Sequence, residues 1–72
     1  NIRVSQKVAT EDLAAAFRLA EVGKTLGGGG RVLLRYSGTE PLLRLLIEGR
    51  DAVYIHREAD IIAEQIRAEI GA

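Results

Sequence analysis

The chain has 72 residues, a length that supports one small domain with a narrow margin of stability. Ten basic and ten acidic residues cancel and are interspersed, which excludes the basic field that drives general binding to nucleic acid or to a membrane surface. Cysteine is absent, which excludes disulfides, and no apolar run approaches the roughly 20 residues of a membrane span. We therefore expect a single domain over residues 1–72, in a cytoplasmic protein that binds neither nucleic acid nor membranes.

The first third of the chain predicts one short strand and one helix. Ile2 and Val4 alternate with Arg3, a pattern typical of a strand with one buried face. Thr10 is suited to cap a helix whose first turn is acidic, and apolar residues then recur at spacings of four and three as far as about Leu26. The residues expected on the buried stripe of this helix are Leu13, Phe17 and Ala20, with Ala14 and Ala16 beside them.

The middle of the chain predicts a connector followed by a β-hairpin. Gly27 to Gly30 form a run that stops any helix, and we expect a mobile connector there. Apolar residues alternate over 31–36 and again over 42–48, which indicates two strands. Residues 37–41 join them, a usual length for a hairpin loop.

The last segment, 53–70, predicts an amphipathic helix with one apolar stripe. Glu58 lies off this stripe, and Gly71 is a plausible stop. The order strand, helix, hairpin, helix predicts an α+β fold in which two helices pack on one face of a small antiparallel sheet. The residues of the apolar stripe are Ile55, Ala59, Ile62, Ile66 and Ile70.

The hairpin loop carries the chemistry of an anion site. Arg35 ends one strand and Arg44 begins the next, so both guanidinium groups can fork onto the oxygens of one phosphate. Ser37 and Thr39 add hydroxyl donors between them. Gly38 lacks the Cβ that would keep backbone N–H groups away from an anion.

The alternative for this segment is an ordinary hairpin, in which glycine and proline supply the turn and the arginines are solvated. The convergence of two arginines and two hydroxyls favours the anion site. Glu40 would repel an anion, so we expect its carboxylate to orient Arg44 or to bond loop amides. His56, the only histidine, lies off the apolar stripe and is expected at the surface.

The loop also carries a family resemblance. Arg35-x-Ser37-Gly38-Thr39-Glu40-Pro41, followed by Arg44, resembles the phosphate-binding loop in the C-terminal domain of the α-D-phosphohexomutases. The flanking segments 31–35 and 42–49 are most similar to the branch of that family that acts on glucosamine phosphates. The resemblance follows the order of elements along the whole chain and is specific in about twenty residues around the loop.

The resemblance implies a four-domain enzyme that moves phosphate between C6 and C1 of a sugar phosphate, using a phosphoserine and Mg²⁺ held by other domains of the same chain. Arg35, Ser37, Gly38, Thr39 and Arg44 then match the positions that hold the phosphate that is not reacting. No residue here matches the catalytic or metal-binding machinery, so the 72 residues alone are expected to be inactive. Two alternatives stay open: the same domain of a phosphomannomutase or phosphoglucomutase, and a free-standing anion-binding module.

Overall fold

The computed structural model describes all 72 residues and has the predicted element order. Two short 3-10 helices are also present, and the α+β prediction, with both helices on one face of the sheet, is confirmed. The strands are β1 (Ile2–Arg3), β2 (Arg31–Tyr36) and β3 (Leu42–Glu48); the α-helices are α1 (Ala15–Leu26) and α2 (Ala52–Ile70); the 3-10 helices are Thr10–Asp12 and Gly27–Gly29.

The sheet has the strand order β1-β3-β2, and both pairings are antiparallel. The register pairs Ile2 with Leu43. The far side of β1 is closed by the end of the chain, because Val4 and Gly71 form an isolated β-bridge and the Ala72 N–H donates to the Arg3 carbonyl over 3.1 Å. The two-residue strand β1 is therefore paired on both sides.

The two faces of the sheet differ in chemistry because side chains alternate along each strand. In β2 the residues Val32, Leu34 and Tyr36 pack against the helices, whereas the alternate positions are exposed on the opposite face, here called the open face. The open face carries both apolar residues and arginines, and one of these arginines, Arg31, forms an ion pair with Glu48. The buried apolar residues are Ile2, Val4, Leu13, Ala15, Leu19, Val22, Leu43, Ile62, Ile66 and Ile70.

Helix α1 begins later than predicted. Thr10 does not cap it; residues Thr10–Asp12 form a 3-10 helix, and Leu13 is extended before the α-helix begins at Ala15. This shift changes the buried stripe to Ala15, Leu19 and Val22, and it leaves Phe17 76% exposed. The predicted stripe of Leu13, Phe17 and Ala20 was wrong. Leu13 is buried, but it precedes the α-helix, so the residues spaced four and seven positions after it do not lie on the buried face.

Helix α2 confirms the predicted stripe in its second half, where Ile62, Ile66 and Ile70 are buried. The Asp51 carboxylate caps its N-terminus by accepting from the Tyr54 N–H over 3.1 Å. Glu58 was predicted to lie off the stripe, yet it is only 6% exposed. A carboxylate is tolerated there because an arginine of α1 pairs with it.

The glycine run ends α1, and Gly27–Gly29 then form a 3-10 turn. That this connector is mobile stays a prediction. Gly27 has φ +58°, a value that L residues rarely adopt, and its N–H donates to the Gly23 carbonyl as in a helix C-cap. No helix of the protein has both the length and the apolar character that crossing a membrane requires.

Candidate functional site

Arg35 and Arg44 are direct cross-strand partners at the loop end of the hairpin. Both are exposed on the open face, and neither forms an ion pair. Directly opposite residues of an antiparallel pair have Cβ atoms about 4.5–5.5 Å apart, and like charges there are destabilising. The fold thus brings the two predicted arginines together with no counterion between them.

The loop backbone is fixed at both ends of residues 37–41. The Ser37 N–H donates to the Leu42 carbonyl over 2.9 Å, and the Leu42 N–H donates to the Glu40 carbonyl over 2.8 Å. The Ser37 Oγ accepts from the N–H groups of Thr39 and Glu40 over 3.4 and 3.3 Å. The Ser37 hydroxyl therefore shapes the loop as an acceptor, and its hydrogen remains available for a ligand.

Gly38 is not required by the fold. Its φ lies outside the left-handed region, and a Cβ built on it would meet no atom within 4 Å. Gly30 shows the opposite case, because a Cβ there would lie 2.2 Å from the Glu48 carbonyl oxygen. The missing side chain at Gly38 leaves the middle of the loop open to solvent, next to the arginine pair.

The Glu40 carboxylate does not make the contacts predicted for it. Its side chain is exposed and makes neither a hydrogen bond nor an ion pair, so it does not orient Arg44 and does not bond loop amides. The loop amides are occupied by the Ser37 hydroxyl, which is closer in sequence and forms a local turn. The carboxylate can therefore turn into solvent.

Two residues at the loop were missed by sequence reasoning. The Lys7 ammonium donates to the Ser37 carbonyl over 3.1 Å, although 30 positions separate the two residues. The Tyr36 hydroxyl accepts from the Val8 N–H over 2.9 Å and donates to the Val8 carbonyl over 2.6 Å. The strand alternation does point Tyr36 toward the helical side, but no local pattern identifies its partner or that of Lys7.

A second polar cluster joins the two helices. The Arg18 Nε lies 2.7 Å from the Glu58 Oε1, and a second nitrogen of the guanidinium lies 3.1 Å from Oε2. The hydrogen bonds from Arg18 hold the pKa of the Glu58 carboxyl below its usual range, against the opposing effect of burial. The same hydrogen bonds raise the pKa of Arg18. This cluster is chemically satisfied within the fold.

The concave parts of the surface lie away from the loop. A groove of about 350 Å³ runs between α1 and α2, beside Phe17 and the Arg18–Glu58 pair. A second of about 520 Å³ lies between the glycine turn and the start of α2, beside Arg50 and Tyr54. No group of three or more His, Cys, Asp or Glu side chains suited to a metal ion is present. Neither groove is lined by the predicted phosphate-binding residues.

Comparison with known proteins gives consistent results. A family model described as phosphoglucomutase/phosphomannomutase, C-terminal domain, matches residues 1–65. The phosphoglucosamine mutases of Thiobacillus denitrificans and Lysinibacillus sphaericus are 41% and 44% identical over 100% and 99% of the chain. That of Symbiobacterium thermophilum is 45% identical over 97% of the chain. The chain spans 16% of the length of each of these relatives.

Proposed function

The chain belongs to the C-terminal domain family of the phosphoglucomutases and phosphomannomutases, and we propose that it grips the non-reacting phosphate of the substrate in a phosphoglucosamine mutase. The full-length protein is then an isomerase that interconverts glucosamine 6-phosphate and glucosamine 1-phosphate. It carries its phosphoserine and its Mg²⁺ in other domains and acts in the cytoplasm. The metal is assigned to another domain by the family resemblance stated for the loop.

The observation that carries this proposal is the cross-strand pair of Arg35 and Arg44 without a counterion. Two like charges held opposite each other cost the fold free energy. A phosphate dianion between them replaces that repulsion with two charge-assisted contacts, and the planar fork of each guanidinium matches the spacing of phosphate oxygens. A solvated hairpin has no need of such a pair.

The rest of the loop supports the same ligand. The Ser37 hydroxyl hydrogen and the Thr39 hydroxyl supply neutral donors beside the two cations. Because nothing in the fold requires glycine at position 38, close approach of a ligand is a reason for the missing side chain. These residues bind and orient, and none of them is a nucleophile or a base in the reaction.

The contribution of the domain to catalysis is positioning. Binding energy from the part of a substrate that does not react can be used to place the reacting part. A grip on one phosphate would hold the sugar while the other phosphate exchanges with the phosphoserine. An exposed arginine pair beside an exposed loop suits a domain that closes over a substrate held by its neighbours.

The proposal is tested by titrating the ¹⁵N-labelled chain with inorganic phosphate and with glucosamine 6-phosphate. We expect weak binding, with NMR shifts centred on Arg35 to Thr39 and on Arg44, because only one wall of the pocket is present. The Arg35→Ala/Arg44→Ala double variant is the matched control and should lose these shifts. Shifts centred on Gly27 to Gly30 would refute the site.

The alternatives are separated by other measurements. Kinetics of the full-length enzyme with glucosamine, glucose and mannose phosphates tests the substrate, and a preference for glucose or mannose phosphates would favour a phosphoglucomutase or phosphomannomutase. A free-standing anion-binding module requires a reading frame without the remaining domains upstream. A frame that extends upstream by several hundred codons would exclude it.

A further inference from the structure

We propose that Lys7 is a positioning residue for the phosphate loop, an inference that rests on the function proposed above. Lys7 is the only residue outside the hairpin whose side chain bonds to the loop, through the 3.1 Å contact from its ammonium to the Ser37 carbonyl. Ser37 begins the loop and immediately follows Tyr36, the last residue of β2. Lys7 thus acts where the loop leaves the sheet.

The segment that carries Lys7 is itself attached to the sheet. Val8 exchanges two hydrogen bonds with the Tyr36 hydroxyl, over 2.9 and 2.6 Å. The Lys7 ammonium also lies 5.8 Å from the centre of the Tyr36 ring, within the range of a cation–π contact. Lys7 is therefore held at the loop by its neighbour as well as by its own contact, although it lies in no helix or strand.

At its Pro41 end the loop is held from outside by the Val4 N–H, which donates to the Pro41 carbonyl over 2.9 Å, and at its Ser37 end the Lys7 ammonium is the outside contact. The two bonds that the Ser37 hydroxyl accepts are long, at 3.4 and 3.3 Å, and residues 38–41 are exposed. An ammonium bonded to the Ser37 carbonyl restrains the first peptide of the loop and so the direction of the Ser37 side chain. It also adds a positive charge at the Ser37 end of the loop, since Lys7 forms no ion pair with a carboxylate.

The experiment uses the full-length mutase and compares Lys7→Met with Lys7→Arg. We expect Lys7→Met to raise KM for the sugar phosphate by about threefold to tenfold, the range for losing one solvent-exposed, charge-assisted contact. Lys7→Arg keeps a charged donor and should restore most of the affinity. Lys24→Met is the matched control, because the Lys24 ammonium pairs with Glu21 on α1 instead of contacting the loop.

A second readout separates positioning from folding. Hydrogen exchange of the peptide that covers residues 37–41 should be faster in Lys7→Met than in the parent enzyme, while exchange in α2 and the thermal midpoint stay unchanged. A lower thermal midpoint with an unchanged KM would overturn the proposal in favour of a structural role. Equal KM values for Lys7→Met and Lys24→Met would overturn it as well.

The failure of this inference differs from the failure of the proposed function. Arg44→Ala is measured alongside as the reference for the phosphate grip. If Arg44→Ala raises KM and Lys7→Met does not, Lys7 has no positioning role and the grip stands. If Arg44→Ala leaves KM unchanged, the phosphate grip itself is refuted, and the role of Lys7 is refuted with it.

Discussion

Arginines occupy two opposite electrostatic settings in this small domain. Between the helices, Arg18 meets a carboxylate that is almost completely buried, and both groups are satisfied. At the loop end of the sheet, Arg35 and Arg44 face each other with no acidic partner. The first setting contributes to holding α1 against α2, and the second opposes the pairing of β2 with β3.

The two settings show that a net charge of zero is compatible with an uneven placement of the cations that lack an ion-pair partner. Cations engaged in ion pairs are spread over the helices and the far end of the hairpin. Of the cations without an ion-pair partner, all except Arg50 lie at the loop end, where β1 and β3 meet the loop. The five side-chain cations without an ion-pair partner are Arg3, Lys7, Arg35, Arg44 and Arg50.

The largest expected effect comes from removing one of the unpaired arginines. Arg44→Ala should weaken binding of the sugar phosphate by about 1–3 kcal/mol, because it removes a charged donor to the phosphate. Stability should not fall, since the same change removes the like-charge pair. Calorimetric titration of the full-length enzyme and thermal unfolding measure the two quantities. Unchanged affinity in Arg44→Ala would contradict the contrast between the two settings.

The second prediction concerns the paired arginine, Arg18, where we expect a loss of stability without a loss of affinity. Arg18→Met keeps an aliphatic stem but leaves the buried Glu58 with only the longer, 3.7 Å contact to Arg57, so the thermal midpoint should fall while phosphate affinity stays unchanged. Arg67→Met is the control, because Arg67 pairs with an exposed glutamate on the helix surface. A loss of stability no greater than that of Arg67→Met would show that the buried pair adds nothing.

The third prediction concerns pH. Because the folded state lowers the pKa of Glu58, the stabilisation from the Arg18–Glu58 pair is fully present above the ordinary glutamate pKa of about 4.3. It is lost progressively as the pH falls through the lowered value. Chemical unfolding measured between neutral and acidic pH should show a smaller acid-induced loss in Glu58→Gln than in the parent chain. Parallel curves would contradict the assignment.

The smallest effect on stability is expected at Gly38. Gly38→Ala introduces a methyl group where the fold has open space and no positive φ, so stability should change by no more than about 0.5 kcal/mol. Phosphate affinity should fall severalfold if a ligand approaches the loop backbone closely. Gly30→Ala is the contrasting control and should destabilise, because a Cβ there would lie 2.2 Å from the Glu48 carbonyl oxygen.

The sequence was sufficient wherever the pattern was local and periodic. Alternation defined the bounds of β2 and β3, and the isoleucine spacing identified the buried stripe of α2. The positions of Arg35 and Arg44 at the strand ends were also predicted, but their register was not: a symmetric five-residue loop would pair Tyr36 with Leu42, whereas the structure pairs Tyr36 with Leu43.

The sequence was insufficient where long-range contacts decide the outcome. Thr10 has the chemistry of a helix cap, but Leu13 is buried in an extended conformation and α1 begins only at Ala15. Phe17 is exposed as a result. Glu58 looks like a surface residue until the position of α1 is known, because its partner Arg18 is 40 positions away. The Lys7–Ser37 contact has the same origin, since it depends on tertiary packing.

The pairing of β1 with the end of the chain has a consequence for synthesis. Strand β1 pairs with β3 on one side, and the residue that follows it, Val4, pairs with Gly71 on the other. Both pairings can therefore form only after almost the whole domain has left the ribosome. Until then, the edge of β3 that pairs with β1 has unpaired backbone groups. The edge of the sheet at β1 is thus completed last, after Gly71 has been synthesised.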